Sequence, residues 1–421
     1  MLILQDLVLA LGLVLSTASQ LRLVGGVVGP GEIFLVLWLC LVLAREVGRL
    51  GPQMTPVLSR LLWFWLVFAL ALGVGMLVGL ATEDIRDTGS AVHDTVSYIL
   101  LATVSCLCVV EPGAGARMRR VAWLFVTCGT GSLVLLLANA WGVVSLPGVV
   151  PWFWNRLQGW SDNPNQLALL CAALGLVALH LAETASRRGW TVMAALCGIL
   201  PVYVGRLTGS DTFNIVLLAT GPVFVALKLR GWLLPVAGRL TFRSAAAWIA
   251  VFSLPLLLGS AVLVGSVLAV QMENLTAQIS KNGGKESSQE SKLRFSLWGE
   301  ALERGINSGL LGLGPGAHLV STPYKRVPPP NFEAHNTALD LFTQGGLAAV
   351  ASFGLLVAWG MRRTYRANLA GLTVLLGGLA VFSMFHLIVR HPVFWFVIAL
   401  CLVAGSGRPG EIRRAETRQG A

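Results

Sequence analysis

Twelve apolar runs, each near the length of a bilayer-spanning helix, restrict what this chain can fold into. They cover residues 2–17, 31–46, 61–80, 92–110, 119–140, 164–182, 190–205, 211–229, 245–270, 336–359, 369–387 and 393–406. With 55% apolar and only 12% charged residues, the chain has more apolar surface than a globular core hides. A lipid-exposed backbone must satisfy its own hydrogen bonds, and no period-2 barrel pattern is present. The sequence therefore predicts an all-α, polytopic transmembrane helical bundle of about 12 helices.

Basic residues are concentrated in every second connection between these runs, and this predicts the orientation in the membrane. These connections contain Arg45, Arg49 and Arg60; Arg117, Arg119 and Arg120; Arg187 and Arg188; Lys228 to Arg243; Arg362 to Arg366; and Arg408 to Arg418. Positively charged connections stay in the cytoplasm. Both termini are therefore expected to be cytoplasmic, and the long connection 271–334 external. The net charge of +11 then reflects topology and contact with the anionic lipid bilayer, and no nucleic-acid partner is expected.

The chain is expected to divide into four parts. Residues 1–270 form an N-terminal transmembrane bundle of about nine helices, 271–334 the external loop, 335–407 the C-terminal transmembrane helices, and 408–421 a basic cytoplasmic tail. The N-terminus lacks the basic segment of a signal peptide, so the first run is expected to be retained. All seven cysteines lie within or at the ends of apolar runs, which predicts neither a disulfide framework nor a metal cluster.

The external loop has three segments of different character. Residues 271–292 are polar and low in complexity, which predicts a flexible segment. Residues 293–306 have apolar side chains at helical spacing, which predicts a short amphipathic helix along the membrane face. Residues 305–318 are rich in glycine, and with no Walker lysine or βαβ pattern they favour tight turns over a nucleotide loop. Three prolines, 328–330, then lead to His335.

Intramembrane polarity is concentrated at the start of the tenth run. Asn336, Asp340 and Gln344 are four residues apart, so they share one helix face. Polar groups inside a span are expensive, so this face is expected to look into the bundle or a wet cavity. The alternative interpretation is hydrogen bonding between helices. The other runs are nearly free of ionisable groups, whereas a proton-coupled transporter usually has carboxylates at mid-depth in several helices.

Cationic side chains are expected to gather at the external rim. They are Arg156, Arg206, Arg294, His335 and the pair Arg390-His391. A substrate with a pyrophosphate group needs such a cluster, since guanidinium groups bind phosphate oxygens bidentately and stabilise charge on a leaving group. For any single arginine, the alternative is simple contact with lipid headgroups.

With these residues in view, most of the chain resembles the O-antigen ligase family of membrane glycan ligases and polymerases. The most specific match is His335-Asn336, nine residues, then Gly346. Two further patches are similar to family elements: Trp160 to Ala168 preceded by Arg156, and Arg294 to Trp298 followed by the glycines of 312–316. The chain departs from the family at Asp211, where an arginine normally follows serine. Arg206 is one turn away and is the candidate replacement.

The resemblance implies an inverting, metal-independent glycosyltransferase without cofactors. Its partners are a polyprenyl-diphosphate-linked glycan donor and a glycan or lipid A-core acceptor, at the periplasmic face of the bacterial inner membrane. His335 and Arg294 are the expected catalytic residues. Arg156, Arg206, Arg294 and Arg390 are expected to bind the donor diphosphate, with Asn336, Asp340 and Asn165 in support. His335 can act as base or hydrogen-bond acceptor for the acceptor hydroxyl.

Three other functions stay open at this stage. A polymerase would use the same donor and differ only in its acceptor, for which the sequence has no readable motif. A lipid-linked oligosaccharide transporter would be favoured by charges along a path through several helices, where only Asp340 is suggestive. A non-catalytic scaffold would be favoured if the rim arginines were dispensable.

Overall fold

The chain forms a bundle of α-helices with very little sheet. The computed structural model describes residues 2–22, 28–47, 54–82, 88–110, 113–233, 285–316, 318–319 and 333–406. In chain order the helices are α1 Leu2–Leu15, α2 Pro30–Val47, α3 Pro56–Ala81, α4 Thr88–Val109, α5 Ala114–Ala140, α6 Pro164–Thr184, α7 Arg188–Leu207, α8 Asp211–Leu233, α9 Lys285–Asn307, α10 Thr337–Arg366, α11 Ala370–Ser383 and α12 Pro392–Ala404. Strands β1 Trp152–Phe153 and β2 Arg156–Leu157 form a small antiparallel hairpin.

Seven of these helices are long and apolar enough to cross a membrane: α3 to α8 and α10. Three shorter helices, α1, α11 and α12, are also apolar. These observations support the predicted class of helical membrane protein. The count of about 12 spans stays a prediction, because the run 245–270 lies outside the described residues. The division into four parts and the orientation of the termini also stay predictions.

The core of the bundle lies around α6 and α12. Leu167 to Leu174 on α6 are buried, and so are Val393 to Leu402 on α12. A helix that is apolar on all sides has no solvent-facing stripe and is stable only when surrounded by other helices. These two helices are therefore the centre around which α4, α5, α7, α10 and α11 pack.

The helices run back and forth between two ends, which fixes where the polar residues meet. At one end, which we call the histidine end, α4, α6, α8, α10 and α12 begin. Contacts from Asp94 to Arg390 and from Thr212 to His386 join three of these starts. The opposite end holds contacts such as that of Arg117 with Asp6, between the first turns of α5 and α1.

Two local predictions need correction. The segment 271–292 was expected to be flexible, but its described part, 285–292, is the first portion of α9, which continues to Asn307. The run 369–387 was expected to be a helix of near-spanning length, whereas α11 has 14 residues and ends at Ser383; α12, with 13 residues, nearly matches its predicted run 393–406. Helix α11 ends there because residues 384–388 leave helical conformation and form hydrogen bonds with the start of α10. The sequence pattern had not indicated the β1–β2 hairpin, whose strands have two residues each.

Helix α10 is interrupted at Gly345 and Gly346, which have non-helical backbone angles. The carbonyl groups of Thr343 and Gln344 accept hydrogen bonds from the N–H groups of Leu313 and Gly314, at 2.7 and 2.8 Å. Beyond the break, the N–H of Leu347 donates to the carbonyl of Leu310 at 3.0 Å. The glycine-rich segment after α9 therefore satisfies the backbone groups that the break releases, as a lipid-embedded chain requires.

Candidate functional site at the histidine end

His335 immediately precedes α10, in a backbone conformation that is unusual for its residue type. Its φ is +51°, in the left-handed region, and the residue is half-buried. Asn336 follows as the N-cap of α10, and its side-chain oxygen accepts the N–H groups of Ala338 and Leu339 at 3.0 and 3.2 Å. A non-glycine residue pays for left-handed backbone with about 1–2 kcal/mol, so its surroundings must hold it there.

The carboxylate of Asp340 holds the backbone on both sides of His335. One oxygen accepts the N–H of Ala334 at 2.7 Å, and the other accepts the N–H of Asn336 at 3.3 Å. Asp340 is 4% exposed, so these bonds form away from bulk water and are worth more than surface ones. Asp340 therefore clamps the loop that carries the histidine onto the first turn of α10.

Helix α9 is tied to the same loop. The indole N–H of Trp298 donates to the carbonyl of Ala334 at 2.8 Å. Leu297, Ala301, Leu319 and Ala334 form a small apolar cluster beneath this contact. Arg294 lies on α9 one turn before Trp298, and residues four apart share a helix face. Its side chain lies outside the described part of the structure. Helix α9, which carries Arg294, therefore lies next to the loop that carries His335. In the sequence, only the family resemblance connected these two elements.

Arg390 forms a second clamp on the segment before His335. Its guanidinium donates to the carboxylate of Asp94 on α4 at 2.5 Å, and it also pairs with Glu333. Asp94 is 1% exposed, so this pair is largely shielded from water. Arg390 was predicted to bind a donor diphosphate, which stays a prediction. In this geometry a phosphate would compete with two carboxylates, and the arginine also positions Glu333, two residues from His335.

Arg156 and Asn165 form a second cluster with the turn between α7 and α8. The Nε of Arg156 donates to the carbonyl of Thr208 at 2.9 Å, and a terminal nitrogen donates to the side-chain oxygen of Asn165 at 3.3 Å. Gly209, with φ +59°, passes close to this arginine, where a Cβ would lie 3.3 Å from its side chain. Arg206, the candidate replacement for the family arginine, is exposed near this turn, and Asp211 is exposed at the start of α8.

One chain of contacts links this second cluster to His335. The hydroxyl of Thr212, in the first turn of α8, lies 3.3 Å from Nε2 of His386. The carbonyl of His386 accepts the hydroxyl hydrogen of Thr337 at 2.7 Å, and Asn336 donates through its side chain to the carbonyl of Met384 at 3.0 Å. Residues 384–388 therefore connect the turn beside Arg156 to the start of α10.

Two other histidines, His318 and His391, have different environments. His318 is buried and its Nε2 lies 2.7 Å from the carbonyl oxygen of Gly314. His391 has two ring nitrogens without a hydrogen-bond partner in the described part of the chain. Burial lowers the pKa of His391 to about 4, so this imidazole is neutral at pH 7. A neutral His391 adds no positive charge for a phosphate beside Arg390.

Several residues of the site were not identified from sequence. Asp94, Glu333 and His386 were not singled out as site residues. Tyr98 was also missed: its hydroxyl donates to the side-chain oxygen of Gln344 at 2.9 Å, beside the break in α10. The one usable signal was Asp94 itself, because a carboxylate inside an apolar run implies a buried cationic partner.

In comparisons with known proteins, the sequence matches no protein-family model and no curated protein.

Proposed function

We propose that this protein is an inverting, metal-independent glycosyltransferase of the O-antigen ligase type. It transfers an oligo- or polysaccharide from a polyprenyl-diphosphate carrier to a sugar hydroxyl at the periplasmic face of the bacterial inner membrane. One observation carries this proposal: both backbone groups of Ala334 are hydrogen-bonded. Its carbonyl accepts the indole N–H of Trp298, and its N–H donates to the side chain of Asp340. These bonds join the arginine-bearing helix to the histidine-bearing loop.

In the proposed substitution at the anomeric carbon, His335 acts on the acceptor hydroxyl and the arginines act on the diphosphate leaving group. In the proposed step, the oxygen of the acceptor hydroxyl forms a bond to the anomeric carbon, and the bond from that carbon to the diphosphate oxygen breaks. The electron pair leaves with the polyprenyl diphosphate. His335 takes the hydroxyl proton and later releases it to water, while arginines stabilise the charge on the leaving group. Attack opposite the leaving group inverts the anomeric carbon.

The residues of the proposed donor site come from several elements at the histidine end. Arg156, with Asn165 in support, is held against the turn after α7, and Arg206 is exposed beside it. Arg294 lies on α9, one turn from the Trp298 contact. The guanidinium groups of Arg156 and Arg206 are partly exposed and exposed, respectively, which suits a diphosphate at headgroup depth. Ligase activity, with a lipid A-core acceptor, is our first choice, and polymerase activity with the same donor is the alternative.

A lipid-linked oligosaccharide transporter is the second candidate, and the break in α10 is the observation that favours it. Interrupted helices often build substrate sites in transporters. At this break, however, the backbone is tightly packed. A Cβ placed on Gly75 of α3 would lie 2.3 Å from the carbonyl oxygen of Gln344, and one on Gly312 would lie 2.6 Å from it. Protein backbone occupies the space a substrate would need there, which makes the transferase the better supported proposal.

Asp340→Asn is expected to slow transfer about tenfold to a hundredfold, the cost of leaving a buried N–H group without its hydrogen bond. Asparagine has the same shape, but its NH₂ group cannot accept an N–H, so one side of the His335 loop is released. We expect the maximal rate to fall while the KM for the donor stays unchanged. In a His335→Ala background the same substitution should have no further effect on the rate. Full additivity of the two substitutions would show that Asp340 does not act through His335.

Arg294→Lys keeps the charge but removes the planar pair of donors, so it should weaken both donor binding and rate. Arg294→Ala is expected to cost on the order of a hundredfold in rate. The matched control is Arg304→Lys on the same helix, where lysine can keep the ion pair with Glu300 (3.0 Å in the wild type). The readouts are product formation and binding of the lipid-diphosphate donor. Unchanged values for Arg294→Ala would remove the phosphate role.

A further inference from the structure

A pocket of about 340 Å³ lies at the end of the bundle opposite His335. It is formed where α8 ends, where α10 turns into α11, and at the first turn of α11. Lys228, Arg230, Tyr365, Asn368 and Leu369 are among its lining residues. Its volume is in the range of small-ligand sites. The proposed transferase chemistry makes no use of this pocket.

The depth of the pocket matches a lipid headgroup. Arg230 is 19 residues beyond Asp211, the first residue of α8, which corresponds to about 28 Å along a helix axis. The hydrocarbon core of a bilayer is about 30 Å thick. If the start of α8, at the histidine end, lies at one membrane surface, this pocket lies in the headgroup layer of the other leaflet.

Among the described residues, one of the two cations that line the pocket is paired with a carboxylate and the other is not. Lys228 pairs with Glu183 of α6, and the same carboxylate accepts the N–H groups of Ala370 and Gly371 at 3.1 and 2.7 Å. Glu183 therefore pairs with Lys228 and also accepts two backbone N–H groups in the first turn of α11. Arg230 differs, since its guanidinium has no hydrogen-bond or ion-pair partner among the described residues. It is exposed at the pocket wall and lies over the ring of Tyr365, 4.2 Å from the centroid.

The remaining lining fits the glycerol side of a phospholipid. The amide of Asn368 is exposed in the turn after α10, and half-buried Leu227 and Leu369 line the pocket beside it. A stacked guanidinium offers two parallel N–H donors to a phosphate, and basic pockets between helices at a membrane face bind anionic headgroups. We propose that this pocket binds the phosphate of an anionic phospholipid through Arg230, in the leaflet opposite the His335 end.

The test uses the full-length protein in neutral detergent, titrated with phosphatidylglycerol, with phosphatidylcholine or with inorganic phosphate. The unfolding temperature is followed in each titration. Phosphatidylglycerol should raise it saturably, and the two other additions should not. Arg230→Gln should raise the half-saturating concentration of phosphatidylglycerol about fivefold, the contribution of one basic residue near a charged membrane.

Two further variants make the result independent of any folding defect. Asn368→Asp places a negative charge in the pocket while tolerating the left-handed backbone at φ +56°, and it should also weaken the phosphatidylglycerol effect. Arg188→Gln removes an exposed arginine at the same end, outside the pocket, and should leave the effect unchanged. An equal shift with inorganic phosphate would identify a free anion instead of a lipid. Equal titrations for wild type, Arg230→Gln and Asn368→Asp would overturn the proposal.

Discussion

Replacing His335 with alanine is expected to slow glycan transfer by about two to four orders of magnitude, the range of a positioned acid-base group. The backbone at His335 is held by Asp340, Trp298 and the N-cap of α10, none of which depends on the imidazole. The variant should therefore fold, insert and bind the lipid-diphosphate donor as the wild type does. The measurements are product formation per unit time and donor affinity of purified protein.

Two controls separate loss of the imidazole from general damage. Added imidazole should restore part of the rate in His335→Ala, because a small base can enter the space the side chain has left. His93→Gln removes a partly exposed imidazole from α4 at the same end, where Asp94 keeps its bond to Arg390. That variant should transfer at nearly the wild-type rate. Wild-type product levels in His335→Ala would remove the catalytic assignment.

Gly346→Ala is expected to cause the largest loss of folded protein of any single methyl addition at the site. A Cβ there would lie 2.0 Å from the carbonyl oxygen of Leu310, at backbone angles of +61° and −158°. Strain of this kind costs about 1–3 kcal/mol, and overpacking adds a similar amount. The sum is a large part of the total stability of a typical domain. The measurement is the yield of monodisperse protein after detergent extraction, together with its unfolding temperature.

Gly354→Ala is the matched control on the same helix. A Cβ at Gly354 meets nothing within 4 Å, and the residue lies in regular helix. The substitution should leave the yield unchanged or raise the unfolding temperature slightly, because alanine favours helix over glycine. Equal behaviour of the two variants would show that the break in α10 is not required for folding.

The helical architecture was predictable because each run had to satisfy its backbone within the membrane. The start of α10 was also predictable: Asn336 is a strong N-cap, and the 3.6-residue period placed Asp340 and Gln344 on its inward face. Both are buried and bonded in the structure. The structural role of Gly346, the glycine of the family signature, could not be predicted from the sequence. Gly346 lies beyond the histidine on an apolar run, and only the pairing with Leu310 shows why a side chain is excluded there.

The contacts around the histidine were not predictable because they join residues far apart in the chain. Arg390 and Asp94 are 296 residues apart in the sequence, and Trp298 and Ala334 are 36 residues apart. Periodicity identifies which face of a helix is buried, but it does not say which partner occupies that face. The same limit explains why Arg390 was predicted only as a phosphate ligand. Its two carboxylate partners come from α4 and from the segment before His335.

In the proposed reaction, the glycan is transferred to a hydroxyl and its lipid diphosphate is released. The most direct test reconstitutes the purified protein in liposomes with a polyprenyl-diphosphate-linked glycan and an acceptor. It then counts the free polyprenyl diphosphate released against the new glycosidic bonds formed. We predict equal amounts of the two products for the wild type, and neither above background for His335→Ala. Movement of intact donor across the bilayer, without release of polyprenyl diphosphate, would contradict this proposal and identify a transporter.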